Sequence, residues 1–325
     1  MDGGARLVTS IEAVETGLDG FGYIASRQIA TAVFLAQRLN KPILVEGPAG
    51  VGKTELAKAA AQWLGLPLIR MQCYEGLDES KALYEWKYGK QLLYTQILKD
   101  KLAPMLGDSE GLEGALTKLH GVGDIFYSEQ FLEPRPLLKA LQQPHGAVLL
   151  VDEVDKADQE FEAFLLEVLS DFQVSIPELG TLSARSKPLV VLTSNGTRDL
   201  SDALRRRCLF HYLDFPSLAR EMHIVRTLVP EAHSRLVEEA VAFVQRLRRD
   251  DLDKTPGIAE TLDWVRVLFK LGLTELPVDP AQLAPSLAAL LKTRNDRWAL
   301  TPERVGKLID GPRIGQDVGG AGGMK

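Results

Sequence analysis

The 325-residue chain is 45% hydrophobic and 25% charged, the composition of an ordinary globular protein, and is long enough for two domains. Its formal net charge of −6 lacks the basic footprint of a phosphate-backbone binder, which argues against nucleic acid as a partner. The only cysteines, Cys73 and Cys208, stand far apart, excluding a disulfide scaffold or a zinc cluster, and no run approaches the apolar length of a membrane span.

Met1–Ser10 has neither a basic nor an apolar leader stretch, so a cytoplasmic protein is expected. After some 20 weakly patterned residues, Ile24–Leu39 carries apolar residues at helical spacing and stops at Asn40-Lys41-Pro42. Pro42-Ile-Leu-Val45 is a strand that runs into Gly47-Pro48-Ala49-Gly50-Val51-Gly52-Lys53-Thr54, a complete G-x-x-x-x-G-K-T phosphate loop. Its glycines let consecutive N–H groups curl around phosphates, and a helix from Lys53 to about Trp63 points its positive end at them. Lys53 supplies a point charge and Thr54 a hydroxyl for Mg²⁺; Glu55, next in line, completes the set assigned to nucleotide. The implied ligands are a nucleoside triphosphate and Mg²⁺.

Pro67–Met71 reads as a second strand, and Tyr74 to about Leu119 as an insertion with a helix near Lys90–Leu102 and the glycine-punctuated Gly107–Gly111. Glu133-Pro-Arg-Pro136 opens a helix through Leu141. The continuous apolar run Ala147–Val151 is a buried parallel strand, and a helix follows over Gln159–Phe172. Phe172–Leu182 reads as a hairpin around Pro177-Glu-Leu-Gly180, Pro188–Thr193 as another buried strand and His211–Phe215 as the last. Strands alternating with helices imply an α/β fold with a parallel sheet and ligands beyond its carboxyl ends. Beyond Pro216 the pattern turns helical, over Ala219–Val229, Glu231–Arg248, Ile258–Leu271 and Pro302–Ile309. The expected domains are an N-terminal segment (1–20), an αβ domain bearing the phosphate loop (21–216), an all-α domain (217–310) and a disordered glycine-rich tail (311–325).

Asp152 and Glu153 close the strand Ala147–Val151. Asp152 suits the Mg²⁺ shell, and Glu153 suits polarisation of the water that attacks the γ-phosphate. Asn195, at the end of Leu-Thr-Ser-Asn, is placed to orient the same water. Arg205, Arg206 and Arg207 in a row cannot all share one face of a small loop, so one of them should serve something outside the chain, such as a neighbour's γ-phosphate.

The order GPAGVGKT, VLLVDE, LTSN and RRRC, followed by a helical domain, resembles the AAA+ ATPases. The insertion after the second strand and the hairpin before Pro188 look like the helix-two insert and pre-sensor hairpin of the MoxR branch. Tyr84–Leu93, Phe131–Leu138, Ser201–Cys208 and Pro256–Trp264 look most like CoxD-type members, associated with carbon monoxide dehydrogenase maturation. The resemblance implies that Lys53, Thr54, Asp152 and Glu153 serve the nucleotide and Mg²⁺, and that Asn195 is the first sensor. It makes Arg207 the arginine finger acting on a neighbouring subunit, with Arg206 beside it in the same role. A ring, usually a hexamer, follows from that role. A von Willebrand factor A partner and a client metalloenzyme, for the CoxD branch a molybdenum hydroxylase, are further implications.

One departure stands out: relatives carry Pro-Arg at the start of a lid helix, but this chain reads Thr255-Pro256-Gly257. The second sensor is missing or has moved, with Arg266 and Lys254 as the nearby cations. Gly22-Tyr23-Ile24 sits where relatives cradle adenine. Tyr84, Trp86, Tyr88 and Tyr94 are either client-gripping residues or the insert's own packing. The leading reading is an ATP-driven remodeller that helps mature a client's metal centre. A nucleic-acid motor or loader, and a nucleotide-dependent scaffold with little turnover, are the alternatives.

Overall fold

The computed structural model describes residues 8–107, 127–177 and 179–311. Most of the glycine-punctuated stretch 107–111 and of the tail 311–325 lies outside them. Within the described residues the chain divides into two compact units. One is drawn from Met1–Val14, Arg27–Val45 and Ala60–His211, the other from Glu15–Ser26, Glu46–Ala59 and Tyr212–Lys325.

The chain opens with helices α1 (Ile11–Asp19) and α2 (Arg27–Leu39), then strand β1 (Ile43–Glu46), helix α3 (Lys53–Leu64) and strand β2 (Leu68–Gln72). The insertion holds α4 (Glu79–Ala82), β3 (Tyr84–Trp86) and α5 (Tyr88–Gly107), and β4 (Leu132–Pro134) comes after it. There follow α6 (Pro136–Leu141), β5 (Val148–Asp152), α7 (Gln159–Asp171), β6 (Gln173–Ile176), β7 (Gly180–Ser183), β8 (Leu189–Ser194), α8 (Asp202–Arg207) and β9 (Leu209–Tyr212).

Five strands form one sheet in the order β2-β5-β8-β1-β9. β5 runs parallel to β2 on one side and to β8 on the other, with Leu150 opposite Arg70 and Val191. Every residue of β5 and β8 is buried, as a strand covered on both faces requires, and this is why both read as unbroken apolar runs. The core beside the sheet gathers Leu44, Met71, Leu149, Val151, Leu165 and Leu192. α7 starts where Asp158 accepts the Phe161 N–H at 2.8 Å.

β3 pairs antiparallel with β4, and β6 with β7 in the expected hairpin, where Gly180 takes φ +78°. Of the aromatic residues in the insertion, Trp86 is buried and stands edge-on to Tyr84 and Tyr127. Tyr94 packs edge-on to Phe131, whereas Tyr88 is exposed.

Several elements differ from the sequence pattern. α1 occupies the stretch read as weakly patterned; Val14 and Leu18, one turn apart, are its buried stripe. The last strand lies at 209–212 instead of 211–215. Past one last bond, from the Leu213 N–H to the Glu46 oxygen, Asp214 turns its own carboxylate onto the Phe215 N–H at 2.7 Å. Residues 204–207 are not a loop: Ser201 caps α8 through the Leu204 N–H, and Leu204 anchors it in the core.

The helical unit contains α9 (Leu218–Leu228), α10 (Ser234–Leu247), α11 (Ile258–Lys270), α12 (Pro280–Leu283), α13 (Arg294–Ala299) and α14 (Pro302–Asp310). Its core is built on Val237, Val241, Phe243, Val244, Trp264 and Leu268, the inward stripes of α10 and α11. Glu221 is fully buried and is met by both terminal nitrogens of Arg248 at 2.6 and 2.7 Å, by the Thr261 hydroxyl at 2.8 Å and by Gln245 at 2.6 Å. A buried carboxylate persists only when paired in this way, so the network ties α9, α10 and α11 to one arrangement. Among the described residues no helix is long and apolar enough to cross a membrane.

Candidate functional site

β1 leads directly into Gly47–Gly52. Gly50 and Gly52 take φ +76° and +96°, conformations that side chains rarely adopt, so the glycine spacing is a backbone requirement. At Gly47 the constraint is space: a Cβ there would lie 2.0 Å from the Leu213 carbonyl oxygen. That carbonyl is held close because the Leu213 N–H donates to the Glu46 oxygen at 2.8 Å. Lys53, at the start of α3, is buried and donates to the Gly47 and Pro48 carbonyls at 2.6 and 2.7 Å. Two backbone carbonyls of the loop thus hold the Lys53 ammonium. Thr54 follows in the first turn of α3. Glu55 is exposed and paired with Lys58 at 2.6 Å, facing the helix's own side chains.

The departure at Gly257 acquires a cause in the same unit. A Cβ on Gly257 would stand 2.7 Å from the Gly50 Cα, and the Ile258 N–H donates to the Gly50 oxygen at 2.9 Å. Arg248 holds this turn through the Pro256 carbonyl at 2.8 Å. The helix carrying the usual second-sensor position thus seats its backbone on the phosphate loop, and no larger side chain fits at 257. Of the two alternative cations, Arg266 pairs with Asp263 at 3.3 Å, and Lys254 has an exposed side chain. Gly22-Tyr23-Ile24 belongs to this unit too. Arg220 donates to the Ile24 carbonyl at 2.7 Å, and burial pushes the Tyr23 hydroxyl up to about 12. The Tyr23 ring lies 3.9 Å from where a Gly52 Cβ would sit.

The acidic cluster lies in the sheet unit. Asp152 ends β5, and its Oδ1 accepts the Thr193 hydroxyl at 2.5 Å while its Oδ2 accepts Arg70 Nη2 at 2.6 Å and Nε at 3.1 Å. Glu153 leaves the strand with φ +55° and ψ +50°, a left-handed turn unusual outside glycine. Its N–H is fixed on the Thr193 oxygen at 2.9 Å. Its carboxylate accepts Asn195 Nδ2 at 3.3 Å, Gln72 Nε2 at 2.8 Å and Lys156 Nζ at 2.6 Å. Asp155 gathers the Asn195 N–H and both the N–H and hydroxyl of Thr197, at 3.3, 3.0 and 2.6 Å. Burial alone would raise the Asp155 carboxyl, but these hydrogen bonds outweigh it and hold it below its ordinary value. The same acids, after burial itself, push the Cys73 thiol up to about 12, so that it stays protonated.

Glu153 and Asn195 are brought within hydrogen-bond reach of each other. Arg70, Gln72, Thr193 and Asp155 are partners that the sequence reading missed. The arginines separate by role. Arg207 donates to the Ser170 hydroxyl of α7, and Arg205 lies over the Phe210 ring at 5.8 Å. Arg206 is exposed, with no hydrogen-bond or ion-pair partner among the described residues.

A parallel sheet, a glycine loop after its strand β1 and an acidic pair closing β5 define an α/β P-loop nucleotide-binding protein. The chain belongs to the AAA domain family, dynein-related subfamily, whose model matches residues 42–208 and so takes in both motifs. An uncharacterized protein of Staphylococcus epidermidis is 24% identical over 257 residues, covering 75% of this chain and 82% of the relative. The chaperone protein ClpB of Corynebacterium efficiens is 25% identical over 324 residues; that match covers 98% of this chain and 32% of ClpB. Among solved structures, a point mutant of RuvB from Thermotoga maritima is 17% identical with a TM-score of 0.47, covering 85% of this chain and 73% of RuvB.

Proposed function

We propose that the chain is a ring-forming ATPase of MoxR type that remodels a client enzyme, with Gly47–Thr54 holding the triphosphate and Glu153 polarising the attacking water. The observation that carries this reading is the setting of Glu153. Its backbone is pinned by Thr193, and its carboxylate is aimed by Gln72 and Asn195. A carboxylate fixed from several sides has its orientation prepaid, which phosphoryl transfer rewards more than covalent chemistry. Glu153 accepts a proton from a water whose own oxygen bonds to the γ-phosphorus. The bond from that phosphorus to the ADP oxygen breaks, and ADP and phosphate leave. Asn195 holds the same water by its amide. Lys53 neutralises charge on the leaving phosphates.

Thr54 and Asp152 are the residues that would hold Mg²⁺, directly or through its waters. Their hard oxygen donors fit that ion, and the Arg70 cation already paired with Asp152 marks a place where positive charge is favourable. When bound, the ion would neutralise charge on the β- and γ-phosphates.

Arg207 is assigned to a neighbour's γ-phosphate, with Arg206 beside it. The similarity to a chaperone favours a protein client over a nucleic-acid track, as does the acidic net charge. The finer reading, a von Willebrand factor A partner and a molybdenum hydroxylase as client, rests on the CoxD-type stretches such as Pro256–Trp264. A cytoplasmic location goes with it. The trans assignment has a direct test. Arg207→Ala and Lys53→Ala are each expected to be inactive, and mixing them should restore about a quarter of wild-type turnover or less, because each supplies the interface half the other lacks. Phosphate release that stays at background in every mixing ratio contradicts it.

A further inference from the structure

Arg70 takes no part in the chemistry described above, yet it pairs at 2.6 Å with the residue assigned to Mg²⁺. It stands on β2, two residues before Gln72, which the sheet register places opposite Asp152. From there its guanidinium forks onto Asp152 Oδ2 at 2.6 and 3.1 Å and donates to Gln72 Oε1 at 2.7 Å. Gln72 in turn donates to Glu153 at 2.8 Å. One side chain therefore orders both acids, Asp152 directly and Glu153 through the Gln72 amide.

The two partners are unequal in freedom. The Asp152 side chain is 5% exposed and held on its other oxygen by Thr193, while the Arg70 side chain is 52% exposed. If the pair opens, the carboxylate stays where the strand and Thr193 keep it, and the guanidinium moves toward water. We propose that Arg70 is a positioning residue that serves as the resident counter-ion of Asp152, with which a divalent cation must compete. This rests on the ATPase reading and names a control within the same site. While the cation is absent, Arg70 offsets the charge of Asp152 beside Glu153 and Asp155. When the cation arrives, Arg70 gives up its hold, and the remaining cost sets how much Mg²⁺ the site requires.

The test titrates Mg²⁺ into the full chain with a fluorescent ATP analogue at fixed concentration, and reads analogue affinity separately in EDTA. Arg70→Gln removes the charge but keeps an amide donor. Its half-saturating Mg²⁺ should fall about fivefold, the scale of a partly exposed charge-assisted pair, while EDTA affinity stays within about twofold of wild type. Arg70→Lys keeps a point charge without the fork and should fall about twofold. In an Asp152→Asn background, Arg70→Gln should cause no further shift.

An unchanged or raised half-saturating Mg²⁺ in folded Arg70→Gln overturns the proposal, as does an equal fall in the Asp152→Asn background. Should Arg70→Gln fail to fold by circular dichroism, Arg70→Lys decides, and a wild-type Mg²⁺ requirement there overturns it. Wild type that binds the analogue without any Mg²⁺ dependence removes the ATPase reading itself. A wild-type Mg²⁺ dependence unmoved by Arg70 removes only this inference.

Discussion

Glu153→Gln should bind ATP with near wild-type affinity and turn it over at least about 100-fold more slowly, the loss typical of removing a positioned general base. The substitution keeps the size but leaves a single acceptor oxygen, so only one of the contacts from Gln72 to Oε2 and Asn195 to Oε1 keeps its acceptor, and the other amide must turn away. What it removes is the charge that polarises water. It also removes the ion pair to Lys156, which is half-exposed and contributes little to stability. Single-turnover phosphate release beside equilibrium binding of a fluorescent ATP analogue separates the two effects. Wild-type turnover in this variant would sink the assigned role, and lost binding would mean that Glu153 holds the loop and not the water.

The second large effect is expected at Gly47. Alanine there sets a methyl 2.0 Å from the Leu213 carbonyl oxygen, backbone against backbone, so no rotamer relieves it. The loop must shift by about an ångström, and Lys53 loses its seat on the Gly47 and Pro48 carbonyls. Misplacement on that scale should weaken ATP binding by about 100-fold, measured with the same analogue, while circular dichroism stays that of the wild type. Binding within threefold of wild type would show that Leu213 yields easily and that the close approach is no constraint.

How far these sites were legible follows from how local each one is. Gly47–Thr54 is a single run whose spacing carries its mechanism, and Asp152-Glu153 is announced by the apolar strand before it. Thr193, Arg70 and Gln72 were not legible, because they meet Asp152 and Glu153 only through the register of β2, β5 and β8. No local pattern marks a threonine whose hydroxyl faces a neighbouring strand. Gly257 was legible as a departure but not as a fit; its reason is a glycine of the phosphate loop some 200 residues earlier.

Other misses had signals in plain view. Ser201 before Asp202 is a helix cap, and reading it would have turned the arginine cluster from a loop into α8. Asp279 and Thr293 announce α12 and α13 in the same way. These helices are short, and their apolar residues are too few to set a period, so only the caps mark them.

The account stands on ATP hydrolysis by this chain, and phosphate release measured with Mg²⁺ and ATP, wild type beside Lys53→Ala, tests that most directly. Wild type is predicted to release phosphate steadily, with the rate lost in EDTA and in Lys53→Ala. Release by wild type no faster than by Lys53→Ala, across a range of protein concentrations that allows a ring to assemble, would contradict it.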